Sequence, residues 1–300
     1  MSAHFEVRSA AAARVAARGR GVIVVRLRFG LGNQMFQYAL GRRLADIEGT
    51  RMILDTTLLQ NTARFNGRRY GLSDFQIRAE VVSSTPCEWP VEMLITISEK
   101  SLGFHSSVLD CRVGANALLL EGTWQSERYF KEIEPAIRRD FTFKPFDLGD
   151  SAGVLEQIQK GNSVAVHVRR GDYVSSAVGA HLGFVGVDYY SKAFAAMASS
   201  IENAHFYIFS DDIAWCRAHL PPAYPYTFVS PPDCGQNAAR RDLFLMSACR
   251  HFIIANSTFS WWGAWLGNAG PSKVVIAPKR WFANPLWKLE HIIPSQWQLV

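Results

Sequence analysis

An imidazole and a guanidinium, two residues apart at the end of an apolar run, are the first groups in this chain equipped for chemistry. They lie in SVAVHVRRGDY, Ser163 to Tyr173. Strand alternation puts Val164, Val166 and Val168 on one face and Ala165, His167 and Arg169 on the other, with Arg170, Gly171 and Asp172 in the exit loop. A guanidinium donates paired, planar hydrogen bonds and stays charged at any working pH, which suits a diphosphate. The competing reading makes one arginine a salt-bridge partner of Asp172 that merely holds the turn, and it weighs more on Arg170 than on Arg169.

Three further segments place polar groups at strand ends. FSDD, Phe209 to Asp212, offers a carboxylate able to accept two hydrogen bonds from a guanine amidine edge and a hydroxyl, Ser210, for ribose or base, while one of Asp211 and Asp212 caps the next helix. In NSTFSWW, Asn256 to Trp262, the hydroxyls of Ser257, Thr258 and Ser260 precede a helix and form an anion cradle, with plain N-capping by Ser260 as the alternative. Trp261, Trp262 and Trp265 have the spacing of core residues rather than of a sugar platform. FGLGN, Phe29 to Asn33, sets two glycines before a helix, but Met35 stands where a dinucleotide fingerprint needs its third glycine. Gln34 either points into a site or lies on the helix surface. The chain has no DxD at these loops, which removes the usual handle for a divalent metal.

Parallel strands ending in polar loops need helices between them, and the pattern supplies both. Val22 to Arg28 reads as a strand, followed by a helix from Asn33 to Glu48 with Phe36, Leu40, Leu44 and Ile47 on one stripe. Met52 to Leu54, Met93 to Ile97 and Ala117 to Leu120 read as strands, Glu127 to Arg139 as an amphipathic helix, and Thr56 to Pro90 as irregular. Beyond Ser163, strands at 163–169, 205–210, 226–229, 251–255 and 273–277 alternate with helices at about 188–201, 212–219, 238–249 and 260–267. Pro145 and two glycines between Phe143 and Gly153 mark the boundary. The expected fold is α/β: two Rossmann-like domains, 21–150 and 151–300, with mostly parallel sheets facing across a cleft, preceded by a basic leader over 1–20.

Composition narrows the function classes. With 48% hydrophobic and 19% charged residues over 300 positions, the chain builds a globular core. The net charge of +6 is concentrated: residues 1–28 hold six arginines against Glu6 alone, a net +5. The remainder is near neutral, and no nucleic-acid motif is readable, so nucleic acid is not an expected partner. Cys87, Cys111, Cys216, Cys234 and Cys249 are odd in number and form no CxxC pair, which argues against disulfides and zinc and for a reducing cytosol. The leader, SAAAARVAARGRG from Ser9 to Gly21, lacks an apolar signal core, and nothing reaches a membrane span. The expected location is cytoplasmic, with at most a peripheral membrane contact through the leader.

The motifs together resemble a known family. HVRRGDY is similar to the HxRRxDY motif of the α1,2-fucosyltransferases, whose HxRRxD core is shared by α1,6- and protein O-fucosyltransferases. FGLGNQMFQYALGRRLA (Phe29 to Ala45), GTWQSERYF (Gly122 to Phe130), FSDD and ANSTFSWWGAWLG (Ala255 to Gly267) resemble its other blocks in the same order. The resemblance implies a GT-B-like, inverting and metal-independent transferase that needs no cofactor. It would move L-fucose from GDP-β-L-fucose to the 2-hydroxyl of a galactose-containing glycan, in surface-glycan or O-antigen synthesis. It implies that His167, Arg169, Arg170, Ser210, Asp211, Asn256, Ser257 and Thr258 bind the donor nucleotide, and that Gly30, Gly32 and Asn33 are the amino-terminal domain's contribution. Arg169 and Asp172 would be the catalytic pair, with Asp172 taking the acceptor proton if the loop curls over the sugar. Rival readings are a transferase using another GDP-sugar such as GDP-mannose and, outside enzymes, a carbohydrate-binding protein. Paired arginines and hydroxyls at several strand ends suit a nucleotide diphosphate, which a lectin has no reason to bind.

Overall fold

Short runs of β-branched and leucine side chains form the centre of each half, because strands buried on both faces need apolar residues at every position. The computed structural model describes residues 21–60, 69–83, 93–175, 183–220, 223–229, 238–267, 270, 272–282 and 289–300. The leader expected at 1–20, Cys87 and Cys234 lie outside the described residues. The chain divides into two compact units that meet in sequence at Thr142 and Phe143.

The first unit holds a five-stranded parallel sheet in the order β3-β2-β1-β5-β4, built from β1 (Val22–Arg26), β2 (Arg51–Asp55), β3 (Glu80–Val82), β4 (Leu94–Ser98) and β5 (Ala117–Glu121). VIVVR and ALLLE pair in register, Val22 with Ala117 through Val25 with Leu120, so the loops after β1 and β5 leave the same edge side by side. Helix α1 (Leu31–Glu48) packs on β1, and a side chain at Gly41 would overlap Val25. It stops at Gly49, whose φ of 59° is the left-handed end that glycine adopts most cheaply. Burial on α1 runs almost all the way round, from Gln34 to Gly41 without a break, rather than along one stripe. The expected helix at Glu127 to Arg139 is instead two 3-10 turns, Glu127–Tyr129 and Lys131–Ile133, followed by α2 (Glu134–Asp140). Pro135 sits in the first turn of α2, where its missing N–H costs nothing.

The second unit carries α3 (Ala152–Lys160), β6 (Asn162–Val168), α4 (Gly171–Ser175), α5 (Gly186–Ser200), β7 (Ala204–Ser210), α6 (Ile213–His219) and β8 (Tyr226–Phe228). It continues through α7 (Ala238–Ala248), β9 (His251–Ile253), α8 (Thr258–Leu266), β10 (Val275–Ala277) and β11 (Gln298–Leu299). Its six strands are parallel in the order β11-β10-β9-β6-β7-β8. Val164, Val166 and Val168 share one face of β6 and pack with Tyr190, Ala193 and Met197 of α5 in one buried cluster. The three tryptophans of α8 are core: Trp261 and Trp262 are fully buried, and the Trp261 indole donates to Ile292 O at 2.9 Å. Truncating such a side chain costs about 3–5 kcal/mol.

Candidate active site

Three strand ends converge in the second sheet. The central strand β6 lies between β7 and β9, with Val168 opposite Ser210 and Val166 opposite Ile253. Open parallel sheets bind ligands where neighbouring strands send their loops apart, outside the carboxyl ends. At that edge stand His167, Arg169 and Arg170 from β6, Ser210 and Asp211 from β7, and Asn256, Ser257 and Thr258 after β9.

Asp211 organises the turn after β6. Its Oδ1 accepts the backbone N–H of Arg170 at 2.9 Å and of Gly171 at 3.1 Å, and its Oδ2 pairs with Arg169 Nη1 at 2.8 Å. A Cβ at position 171 would lie 2.9 Å from Asp211 Oδ2, so glycine is what allows the turn this close to the carboxylate. Both oxygens of Asp211, a residue expected at the nucleotide, are engaged by the chain itself. The cause is register: pairing Val168 with Ser210 sets the Arg-Arg-Gly backbone opposite the following aspartate.

The two arginines differ. Arg169 stands 5.7 Å from the Tyr173 ring, and the Tyr173 hydroxyl donates to Asn256 O at 3.0 Å, which links the β6 and β9 loops. Arg170 turns the other way, with its guanidinium 4.5 Å from the Trp215 ring and 5.9 Å from Phe184. Its Nε pairs with Asp212 Oδ2 at 3.2 Å. Arg170 thus braces the turn against α6, with Asp212 as an acid partner. Asp212 also caps α6, accepting from Trp215 N at 3.0 Å, as expected of one member of the pair.

His167 is 5% exposed and faces Phe259 at 5.5 Å between ring centroids. Burial holds its pKa down to about 4; the nearby Asp211 charge opposes that shift and Arg169 adds to it, so the ring is neutral at physiological pH. Its Nδ1 is buried without a hydrogen-bond partner among the described residues. Ser210 Oγ accepts from Asp212 N at 2.9 Å, and Asn256 Nδ2 donates to Gly183 O and Trp281 O at 2.9 and 3.0 Å. Ser257 is the N-cap of α8 with no side-chain capping bond. Ser260, expected as the cap, instead donates backward to Ala255 O and Ser257 O at 3.3 and 3.1 Å. Asp172 lies within α4 rather than in an open loop, and its side chain is outside the described residues.

Gly30, Gly32 and Asn33 belong to the first unit, at the carboxyl edge of its own sheet. Gly30 is the N-cap of α1, and its carbonyl accepts from Asn33 and Gln34 N–H groups at 3.0 and 3.1 Å. Gln34 neither enters a site nor lies on the surface: it is fully buried, and its amide donates to Phe29 O and Arg69 O. Trp215, which packs on Arg170, lies outside every motif, and although Tyr173 closes the HVRRGDY motif, its place beside Arg169 and its bond to Asn256 O appear only in the fold.

Comparison with known proteins decides the family. The model of glycosyl transferase family 11 matches residues 2–300. The chain belongs to this family. It is 31% identical over 291 residues to an α-1,2-colitosyltransferase of Escherichia coli, across 92% of this chain and 98% of that protein. It is 27% identical to the O-antigen biosynthesis glycosyltransferase WbnK of the same species, across 85% and 93%. It is 28% identical to human galactoside α-(1,2)-fucosyltransferase 1, across 82% of this chain and 65% of that one. The crystal structure of the fucosyltransferase NodZ from Bradyrhizobium superposes with a TM-score of 0.50 at 13% identity, covering 83% of this chain and 94% of that one. The family member is a glycosyltransferase with a GT-B-like α/β fold.

Proposed function

We propose that this glycosyltransferase moves L-fucose from GDP-β-L-fucose to the 2-hydroxyl of a galactoside, with inversion at the anomeric carbon. The observation that carries the reading is the Arg169 guanidinium, held by Asp211 at 2.8 Å at the end of the central strand, where a leaving diphosphate needs a fixed positive charge. Arg169 neutralises that charge. Asp211 acts through it as a positioning residue. The neutral His167, Ser210 and Asn256, with the hydroxyls of Ser257 and Thr258 at the amino end of α8, surround the nucleotide, and Arg170 braces the turn. In the first turn of α4, Asp172 takes the proton from the acceptor hydroxyl as a single displacement proceeds. Gly30, Gly32 and Asn33 serve from the amino-terminal unit. Relatives named as α-1,2-colitosyl-, O-antigen glycosyl- and galactoside α-(1,2)-fucosyltransferases support the linkage and a role in surface-glycan synthesis.

A second reading, with a different sugar on the same nucleotide, is favoured by the relative named for colitose. Nucleotide release measured across a panel of GDP- and UDP-sugars, with and without galactosides, separates the two. We expect acceptor-dependent GDP release with GDP-fucose. Turnover with another GDP-sugar and none with GDP-fucose supports the second reading, and turnover with UDP-sugars alone contradicts both.

A further inference from the structure

Among the described residues only three non-glycine positions have positive φ: Phe29 at 67°, Trp124 at 56° and Asn203 at 53°. Two of them, both aromatic, follow the adjacent strands β1 and β5. Left-handed backbone is costly for a bulky residue and concentrates where a ligand is held. The two loops are tied together. Gln37, fully buried, accepts from Arg28 N at 3.1 Å on one loop and donates to Gly122 O at 2.8 Å on the other. Gln125 Nε2 donates to Asn33 Oδ1 at 2.7 Å across the same gap. Gln34 holds the strained residue itself, donating to Phe29 O at 2.9 Å. Glu99 fixes the second loop by accepting from Thr123 and Trp124 N–H groups at 2.6 and 3.2 Å.

This scaffold leaves Phe29 40% exposed, while Asn33, Thr123 and Gln125 of the tied loops are only partly buried. A glycine at 29 would adopt the same backbone without cost, so the ring is what the strained position gains. An exposed aromatic face on loops that also carry amides and a hydroxyl matches a pyranose, which offers an apolar C–H face and a rim of hydroxyls. We infer that Phe29 is the stacking platform for the acceptor sugar and a determinant of acceptor specificity, held in place by the buried Gln34 and Gln37. The inference rests on the glycan-acceptor reading above.

Phe29→Gly removes the ring and relieves the backbone, and Phe29→Tyr keeps the ring. With Phe29→Gly we expect the acceptor KM to rise about tenfold, the scale of one aromatic contact. Its kcat, GDP affinity and Tm should be maintained, and Phe29→Tyr should restore the KM. The comparison uses whichever glycan the wild-type protein glycosylates, so a wrong galactoside assignment shows in the wild type's own acceptor choice. A wrong platform shows differently: Phe29→Gly then keeps the wild-type acceptor KM, or loses GDP affinity in parallel, and either result overturns the inference.

Discussion

Arg169 is the residue on which the chemistry turns, and its setting explains why another cation cannot replace it. Asp211 takes one edge of the guanidinium at 2.8 Å, and the planar group can still offer paired donors to a diphosphate. A lysine at 169 keeps the charge but loses the fork. Arg169→Lys is therefore expected to lower kcat/KM by about a hundredfold or more, on the scale of losing one preorganised oxyanion donor, and to weaken GDP binding. Steady-state kinetics with GDP titration checks this, and near-normal values for both would remove Arg169 from the diphosphate site. The shared face of His167 and Arg169 was legible from strand alternation alone. The role of Asp211 was not, because its partners are backbone groups some forty residues earlier that only the β6–β7 register brings opposite it.

At the level of elements, helix α7 carries a carboxyl that the proposed mechanism does not use. Asp242 is partly buried, with Oδ1 lacking a hydrogen-bond partner among the described residues; burial pushes its pKa up to about 7, against the opposing pull of Arg241. A carboxyl with a raised pKa contributes its stability below the unfolded value near 4 and loses it as pH climbs through about 7. Asp242→Asn should thus gain on the order of 2 kcal/mol relative to wild type at pH 8 and much less at pH 4. Thermal or urea unfolding at the two pH values measures it, and a destabilised variant at pH 8 would show that the ionised carboxylate has a partner. His167 acts with the opposite sign. Its pKa, lowered to about 4, gives stability that is lost as pH falls from about 6.5 through 4. Valine- and isoleucine-rich strands such as β1 and β6 were readable from sequence because buried parallel strands are apolar throughout. Other elements were not, among them the short strands β3, inside the stretch read as irregular, and β11. Helix α3 begins beside Gly153, which resembles a linker, and the 3-10 turns before α2 imitate a continuous amphipathic helix because their charges recur at helical spacing.

For the whole molecule, each unit aligns the carboxyl ends of a parallel sheet, and the second places its polar loops around a guanidinium. Among the described residues no group of three His, Cys, Asp or Glu side chains could hold a metal ion, and no helix is long and apolar enough to cross a membrane. With Arg169 and the amino end of α8 supplying the positive field, turnover is expected to survive EDTA. Loss of activity with chelator and recovery with manganese or magnesium would contradict this. The charge distribution was legible at once: a net +5 in residues 1–28 leaves a near-neutral remainder, as a sugar-transferring fold allows and a nucleic-acid-binding face does not. The proposed reaction makes a new α-linkage from fucose to a galactose 2-hydroxyl, and the product carries the proof of it. Two-dimensional NMR of the glycan made from GDP-β-L-fucose and a galactoside should show an α-fucosyl anomeric proton correlated with C2 of galactose. A β-anomer, or attachment at any other carbon, would rule out the proposed linkage.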